Sequence, residues 1–523
     1  MSRVLFVYPN INTQEGFNHG VAALSGALRA AGADTKLLNL SDSLYDLPDK
    51  NSILDEVSAF DPDLICFSVM TQQYKHAVEI ARAIKERFAF PLAIGGVHCA
   101  MVPDEVAREK LFDYIGIGEC DIALPRLLKA IKEESDVTAI DNIWALRDGE
   151  YVRNRVGPFP DLEELPPKDF EIFDLDHMLS KMNGWMSLLS SRGCPYACSY
   201  CFNHKIMERY QDEAGAKASS YLRRYPLERI LTEARTLKER HPGIETFIFD
   251  DDLFTLGEKE VIEFCEGYSA LGLDVPIVVN AHVQSFTRPM AEALLDAGCL
   301  IVKFGLESGS ERIRRDVLNR RMTNKQIERA FAIAHEAGLH TSAFLMLGLP
   351  LETWDDVDAT IDLVARIKPG RFRWSVFYPF PGTAIYDLCV RKKLIDRRKI
   401  DESETFYEGT CLRLEPELAL RIEKLQRCFH WYVNALTDLD AHEIYAGLIE
   451  EIESLSAEQW AERSAGFLEE DRALSARMNE AGRLHYSIRY TQVMAVRSDF
   501  VESNQGYSRP AKEWGRRVRE KTQ

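Results

Sequence analysis

The 523-residue chain lacks any apolar run long enough to cross a bilayer or to serve as a secretion signal. The segment "VLFVY", after Met1-Ser2-Arg3, is far too short for either and reads as a first β-strand. A basic surplus is missing as well. Lys and Arg number 64 against 82 Asp and Glu, a formal charge of −18 spread along the chain, which argues against sequence-independent nucleic-acid binding through phosphate neutralisation. The Arg/Lys-rich end, "RPAKEWGRRVREKTQ", is expected to be a solvated helix or tail rather than a nucleic-acid arm. There is no sequence repeat and no low-complexity tract. Cysteine is sparse, with 11 residues. For a chain expected to stay in a reducing cytoplasm, clustered cysteines read as metal ligands or catalytic groups rather than disulfides.

What is present is an alternation of strand and helix signals. In residues 1–135, apolar runs at Val4–Tyr8, Lys36–Leu40, Leu64–Met70, Leu92–Ile94 and Tyr114–Ile117 are separated by helical patterns. Such β-α units predict a doubly wound, flavodoxin-like parallel sheet, with ligands bound beyond the carboxyl ends of its strands. A proline-rich acidic stretch within residues 136–183 (156–175) reads as a linker. The alternation then restarts at Trp185–Ser190, Thr246–Phe249, Pro276–Val279, Leu300–Phe304, Ser342–Leu347 and Phe372–Phe377, predicting a partial (β/α)6 barrel over 184–398. From about residue 400 strand signals stop, and 399–523 is expected to be mostly helical.

Three cysteines and a histidine crowd into "SRGCPYACSYCFNH", in the loop after the first barrel strand. Cys194, Cys198 and Cys201 have the spacing Cys-x3-Cys-x2-Cys. A structural zinc site needs four ligands, and His204 could supply the fourth. Against that stands the location, since active sites of barrel folds gather at carboxyl ends of strands. A cubane iron–sulfur cluster has four irons, so three thiolates leave one iron open to a small molecule.

The stretch resembles the signature of the radical S-adenosylmethionine (radical SAM) superfamily, including the aromatic Tyr200 before the last cysteine. The resemblance implies a [4Fe-4S] cluster on Cys194, Cys198 and Cys201. Its open iron would chelate SAM, and one electron would cleave SAM to methionine and a 5′-deoxyadenosyl radical. It also implies SAM contacts later in the barrel. Asp250 and Asp251 of "FIFDDDLFT" would receive the methionine amino group, because three adjacent carboxylates repel and a cation relieves them. Glu307 and Ser308 of "KFGLESGS" would meet carboxylate and ribose, and Gly348 of "FLMLGLPLET" would lie near the adenine. "FYPFPGTAIYD" repeats wording common in the cobalamin-linked subgroup. His282, in "NAHV", reads as exposed at the same rim, either a substrate contact or a satisfied loop histidine.

A doubly wound domain ahead of such a barrel resembles the cobalamin-dependent branch. "FSVMT" places Ser68 at the end of strand three, and "IGGVHCAMVPDEV" supplies Gly95 and Gly96, whose missing side chains would let the nucleotide tail approach backbone. "GIGEC" adds a further glycine turn. The Asp-x-His-x-x-Gly element common in cobalamin proteins is absent: in "QEGFNHGVAAL", Phe17 takes the Asp position and Gly20 follows His19 directly. His19 and His98 are therefore expected to be loop or surface residues, leaving cobalt without a histidine below it.

The implied activity is cobalamin-dependent methylation of an unactivated carbon through a 5′-deoxyadenosyl radical and methylcobalamin. A small-molecule or natural-product substrate and a reducing partner such as flavodoxin or ferredoxin are expected, and no nucleic acid or membrane. The residues assign no catalytic acid or base. An oxidative cyclase or rearrangement enzyme of the same branch, and a non-catalytic cobalamin-binding sensor, are the alternatives. A tRNA methylthiotransferase would need further cluster cysteines, whereas Cys66, Cys99 and Cys120 are widely spaced and read as packing residues.

Overall fold

In a computed structural model, residues 1–13, 16–402, 409–490 and 495–498 are described; the basic segment 509–523 lies outside them. The chain forms two compact units. The first holds Met1–Ile230 with Glu239–Gly243 and Phe380–Ala384; the second holds Leu231–Lys238, Ile244–Pro379 and Ile385–Gln523.

In the first unit, β1 (Arg3–Tyr8), β2 (Asp34–Asn39), β3 (Leu64–Ser68), β4 (Leu92–Gly95) and β5 (Tyr114–Gly116) lie parallel in the order β2-β1-β3-β4-β5. That is the flavodoxin-like order, whose strand reversal between β1 and β3 opens a crevice at the carboxyl ends. The strands inside the edge strand β2 are mostly apolar because helices cover both faces, and Leu5, Ile65, Leu92 and Ile115 are wholly buried. Helices start where the sequence supplies caps: Asn18 accepts from Val21 N and Asp49 from Ser52 N.

The sheet does not stop at residue 135. β6 (Ile143–Arg147) and β7 (Glu150–Arg153) extend it antiparallel, within the stretch read as linker. Asp148 and Gly149, both at positive φ (50° and 80°), make the two-residue turn that this dipeptide favours. β8 (Trp185–Leu188), then β9 (Ser191–Arg192) paired antiparallel with β10 (Arg223–Arg224), complete the strands of this unit.

The second unit is a curved sheet of β11 (Thr246–Phe249), β12 (Ile277–Ala281), β13 (Cys299–Glu307), β14 (His340–Leu347) and β15 (Arg371–Val376), neighbours running parallel in sequence order. Helices such as Asn324–Glu336 and Trp354–Ile367 connect them. Beyond residue 400, helices Pro416–Leu436, His442–Ser454, Ala457–Ser464 and Phe467–Glu480 enclose buried Trp431, Tyr445, Trp460 and Phe467. Strands do not stop there entirely: β16 (Tyr486–Tyr490) and β17 (Ala495–Ser498) add an antiparallel edge to β15. Among the described residues no helix is long and apolar enough to cross a membrane.

Close packing fixes the turn after β13. A Cβ on Gly309 would stand 2.1 Å from Ala359 O and 2.4 Å from Thr360 Cα, in the helix Trp354–Ile367. Backbone cannot yield as a flexible side chain would. Gly309→Ala is expected to destabilise the protein by about 3 kcal/mol, read as a lowered urea midpoint.

Candidate active site

In the first unit the structure places Cys194, Cys198 and Cys201 in the single loop between β9 and the helix Phe202–Ala214. None is in a disulfide; Cys198 is buried and the other two half-buried. Cys201 N donates to Cys198 O (3.1 Å), closing a tight turn, and Cys201 is the N-cap residue of the helix. A helix N-terminus favours nearby negative charge, as a thiolate-ligated cluster carries. The donor set, three soft thiols in one partly open loop, fits a three-thiolate cubane. His204 is turned along its own helix toward Glu208, Nε2 to Oε1 3.2 Å. Among the described residues no three His, Cys, Asp or Glu side chains converge as a shell for a single metal ion; a cubane spreads its thiolates wider than one ion does.

Gly193 holds the base of this loop. Its φ is +90°, and a Cβ there would meet Tyr221 O at 2.4 Å. The preceding Arg192 donates from Nη1 to Glu119 Oε2 (2.7 Å) and Asp121 Oδ2 (2.9 Å), from Nη2 to Asp121 Oδ1 (2.9 Å), and from Nε to Tyr225 OH (2.9 Å). Arg223 pairs with the other Glu119 oxygen and donates to Pro160 O (2.9 Å). Burial disfavours the Arg192 charge, yet Asp121 and Glu119 hold its pKa well above the usual value. The helix after the cysteines is fixed likewise: Glu119 N donates to Tyr210 OH (2.9 Å), which fills the space over Gly118. The cysteine loop and the "GIGEC" turn are thus braced together inside one unit.

The other expected cobalamin contacts lie on the same sheet's carboxyl rim. Ser68 ends β3 beside Gly95, the end of β4, and Val69 N donates to Gly95 O (3.0 Å). The two glycines differ in why they are glycine. Gly96 has φ +100°, and a Cβ would stand 2.5 Å from Val69 O, so the protein's own turn requires it. A Cβ on Gly95 would meet nothing closer than Gly116 O at 3.8 Å. Internal packing does not demand that bare backbone, which suits the approach of a large ligand. Cys66, Cys99 and Cys120 are protonated packing thiols: burial first, then the neighbouring Cys120, push the Cys66 and Cys99 pKa values up, and burial first, then Asp121, takes Cys120 to about 12.

Neither histidine is the surface residue expected. His98 is buried, its Nδ1 3.3 Å from Thr71 Oγ1 and its ring 4.3 Å from Tyr74, because the turn after Gly96 folds it under the sheet rim. His19 is half-buried against Phe17, with Nε2 2.9 Å from Ser187 Oγ of β8. Burial lowers both pKa values, that of His98 to about 4, so the rings are neutral.

The second unit gathers the expected SAM residues at the carboxyl ends of β11, β13 and β14. Asp250 is exposed and lies 3.4 Å (Oδ1) from Lys303 Nζ, so the chain itself supplies one cation to the acidic turn. Asp251 is buried, its carbonyl accepting from Asn280 Nδ2 (2.9 Å). Glu307 sits at a β-bulge with φ +68°, strain of about 1–3 kcal/mol that clusters at functional sites. Its carboxylate and the Arg320 guanidinium share the space over Gly305, where a Cβ would meet Glu307 Oε1 at 2.5 Å and Arg320 Nη2 at 3.4 Å. Ser308 is wholly buried: its Oγ accepts from Ser310 N (3.2 Å) and its carbonyl from Arg314. His282, expected to be exposed, is buried, with Nδ1 accepting from Gln284 N (3.3 Å). Burial, then Arg320, lower its pKa to about 3.

Sequence reasoning reads Glu352 only as poised, with Thr353, to start a helix, and misses its hold on the Gly348 turn. The side chain is buried, and Oε2 accepts from Gly348 N (2.7 Å) and Leu349 N (3.1 Å), holding Gly348 at φ +70°. The signal was available, a carboxylate four residues past a turn glycine. Burial pushes its pKa from 4.5 up to about 8. Between those values the folded chain keeps a proton that the unfolded chain has released, so stability falls as pH rises. Glu352→Gln should flatten this decline, by roughly 1 kcal/mol per pH unit, in urea midpoints compared at pH 5 and pH 8. An unchanged slope would place the proton elsewhere.

Residues 188–364 match the family model described as the Radical SAM superfamily, and residues 13–128 the B12 binding domain. An uncharacterized methyltransferase of Pyrococcus horikoshii is 26% identical over 72% of this chain and 79% of its own length. The anaerobic magnesium-protoporphyrin IX monomethyl ester cyclase of Rubrivivax gelatinosus is 25% identical over 82% and 76%. The structure of the cobalamin-dependent S-adenosylmethionine radical enzyme OxsB, with aqua-cobalamin and S-adenosylmethionine bound, superposes with TM-score 0.65 at 16% identity, over 100% of this chain and 79% of that one. The chain is a radical SAM enzyme with an N-terminal cobalamin-binding domain.

Proposed function

We propose that the enzyme transfers a methyl group to an unactivated carbon of a small molecule. The observation that carries the reading is the bracing of a three-thiol loop against the rim of a B12-binding sheet within one compact unit. The methyltransferase relative matching most of the chain supports it. When bound, the cluster would supply the electron that cleaves SAM, and the cobamide would supply the methyl group. The chain's residues hold and orient. Cys194, Cys198 and Cys201 would ligate three irons. Asp250 and Asp251 would receive the SAM ammonium, Glu307 and Ser308 its carboxylate and ribose, and Gly348 its adenine. Ser68, Gly95 and Gly96 would take the cobamide tail. A flavodoxin or ferredoxin would serve as reductant in a reducing cytoplasm.

A cyclase reading has its own support in the Rubrivivax gelatinosus relative, and product stoichiometry separates the two. A methylase spends one SAM on S-adenosylhomocysteine and another on methionine and 5′-deoxyadenosine. With deuteromethyl-labelled SAM, reductant and cell extract under anaerobic conditions, the nucleoside products should form in roughly equal amounts alongside a labelled product; 5′-deoxyadenosine with an unlabelled product would make the enzyme a cyclase. Protein reconstituted anaerobically should bind about four irons per chain, and replacing the three cysteines with alanine should abolish this. Stoichiometric zinc without iron would instead restore the structural-metal reading.

The cobamide, in its Co(II) form, should lack nitrogen superhyperfine splitting in electron paramagnetic resonance. His19 has one ring nitrogen on Ser187, and His98 has one on Thr71. The second nitrogens, His19 Nδ1 and His98 Nε2, are both buried with no hydrogen-bond partner among the described residues, so a splitting that vanished in His19→Ala or His98→Ala would make that residue a ligand of the cobalt.

A further inference from the structure

In the second unit one lysine of the chain already stands where the acidic turn would receive a ligand's ammonium. Side chains alternate along each strand. Phe304 packs outward against Phe331 of the helix Asn324–Glu336, ring centroids 5.0 Å apart, so Lys303 beside it lies on the concave face of the sheet. Register pairs Phe249 with Val279, Asn280 with Lys303, and Lys303 with Ser342. Asp250, the residue after β11, is thus level with Asn280 and Lys303, and both of these side chains reach the acidic turn. Asn280 Nδ2 donates to Asp251 O (2.9 Å), and Lys303 Nζ lies 3.4 Å from Asp250 Oδ1. That ion pair is long beside the roughly 2.8 Å of a tight charge-assisted bond. Its lysine side chain is 17% exposed and its carboxylate 44%. Burial lowers the Lys303 pKa; Asp250 opposes this, and Arg371 and Arg373 add to it. On the other side of Lys303, Ser342 is wholly buried and its hydroxyl has no hydrogen-bond partner among the described residues. A buried hydroxyl of that kind is an open acceptor for a neighbouring donor.

Resting on the reading that places the SAM ammonium at Asp250, we propose that Lys303 is a resident counter-ion that SAM displaces: the SAM ammonium takes the Asp250 carboxylate, and the Lys303 ammonium moves to the Ser342 hydroxyl. Two cations on one carboxylate repel each other, the more so in a half-dry interior, so one must give way. The long Lys303–Asp250 contact is the one suited to yield. Lys303 is then a positioning residue, holding the Asp250 carboxylate toward the barrel interior until SAM arrives. Methionine and S-adenosylhomocysteine carry the same ammonium as SAM. The returning lysine therefore competes them off as well, which suits an enzyme that spends SAM on both.

The test is equilibrium dialysis of the full-length, anaerobically reconstituted protein with radiolabelled SAM, without reductant so that SAM stays intact. Lys303→Met, which keeps the stem and removes the charge, should bind SAM about tenfold more tightly, the worth of a hydrogen bond to a charged group. Methylthioadenosine, which has neither the ammonium nor the carboxylate of SAM, should bind this variant and the wild type alike, and so report that the site is intact. Asp250→Asn should weaken SAM about tenfold, and adding Lys303→Met to it should bring no tightening. Ser342→Val, which keeps the side chain's shape, should weaken SAM by leaving the displaced ammonium without an acceptor. Unchanged or weaker SAM binding in Lys303→Met would overturn the proposal, the latter by making the ammonium a partner of the SAM carboxylate. Equal tightening of methylthioadenosine, or indifference to Ser342→Val, would overturn it too. SAM binding indifferent to Asp250→Asn would sink the placement of the SAM ammonium itself, whereas a weakened Asp250→Asn with an indifferent Lys303→Met refutes the displacement alone. Neither result depends on whether a methyl group is transferred.

Discussion

The ion-paired lattice of Arg192 and Arg223 with Glu119 and Asp121 is the constraint on which the first unit depends. Asp121 is almost wholly buried, and the Arg192 and Glu119 side chains are each less than one-fifth exposed. Desolvating such charges is expensive, and removing one partner of a buried pair costs roughly 3–5 kcal/mol because the other is stranded. The lattice therefore admits few arrangements. Arg192 immediately precedes the glycine that launches the cysteine loop, and Glu119 follows the glycine turn at the end of β5. Fixing one fixes the other, and the Tyr210 hydroxyl repeats the tie through the helix that follows the cysteines.

The second unit solves the same problem with neutral and charged hydrogen bonds rather than a single lattice. The turn after β13 is held from beneath by Thr360 and Asp356. Burial would raise the Asp356 pKa, but hydrogen bonds from Arg312, Ser310 and Thr353 hold it at about 2. The turn after β14 is held by Glu352. By bonding to the turns themselves, Thr360 to Gly309 N and Glu352 to Gly348 N, these groups set where Glu307, Ser308 and Gly348 point. Left-handed Glu307 is tolerated because the bulge and the bare Gly305 leave room for its carboxylate.

Much of this was legible in one dimension. Continuous apolar strands between helical periods specify parallel sheets covered on both faces, and three thiols at one spacing specify a loop chemistry whatever surrounds it. The hairpin of β6 and β7 was legible too, since Asp148-Gly149 is a strong turn signal; the prolines downstream masked it. The strands β16 and β17 were harder, because a short edge strand is defined by its partner rather than by its own pattern.

The sequence by itself determined the order of elements, the cysteine loop and the glycine turns, because those follow from local periodicity, spacing and backbone sterics. Only tertiary structure decided the rest. It buried His98 and His282, which a loop context made look exposed, since burial depends on what packs from elsewhere in the chain. It paired Lys303 with Asp250 across 53 residues and Arg192 with Asp121 across 71. It also aligned Lys303, Ser342 and Arg371 by strand register, a relation that no local spacing encodes.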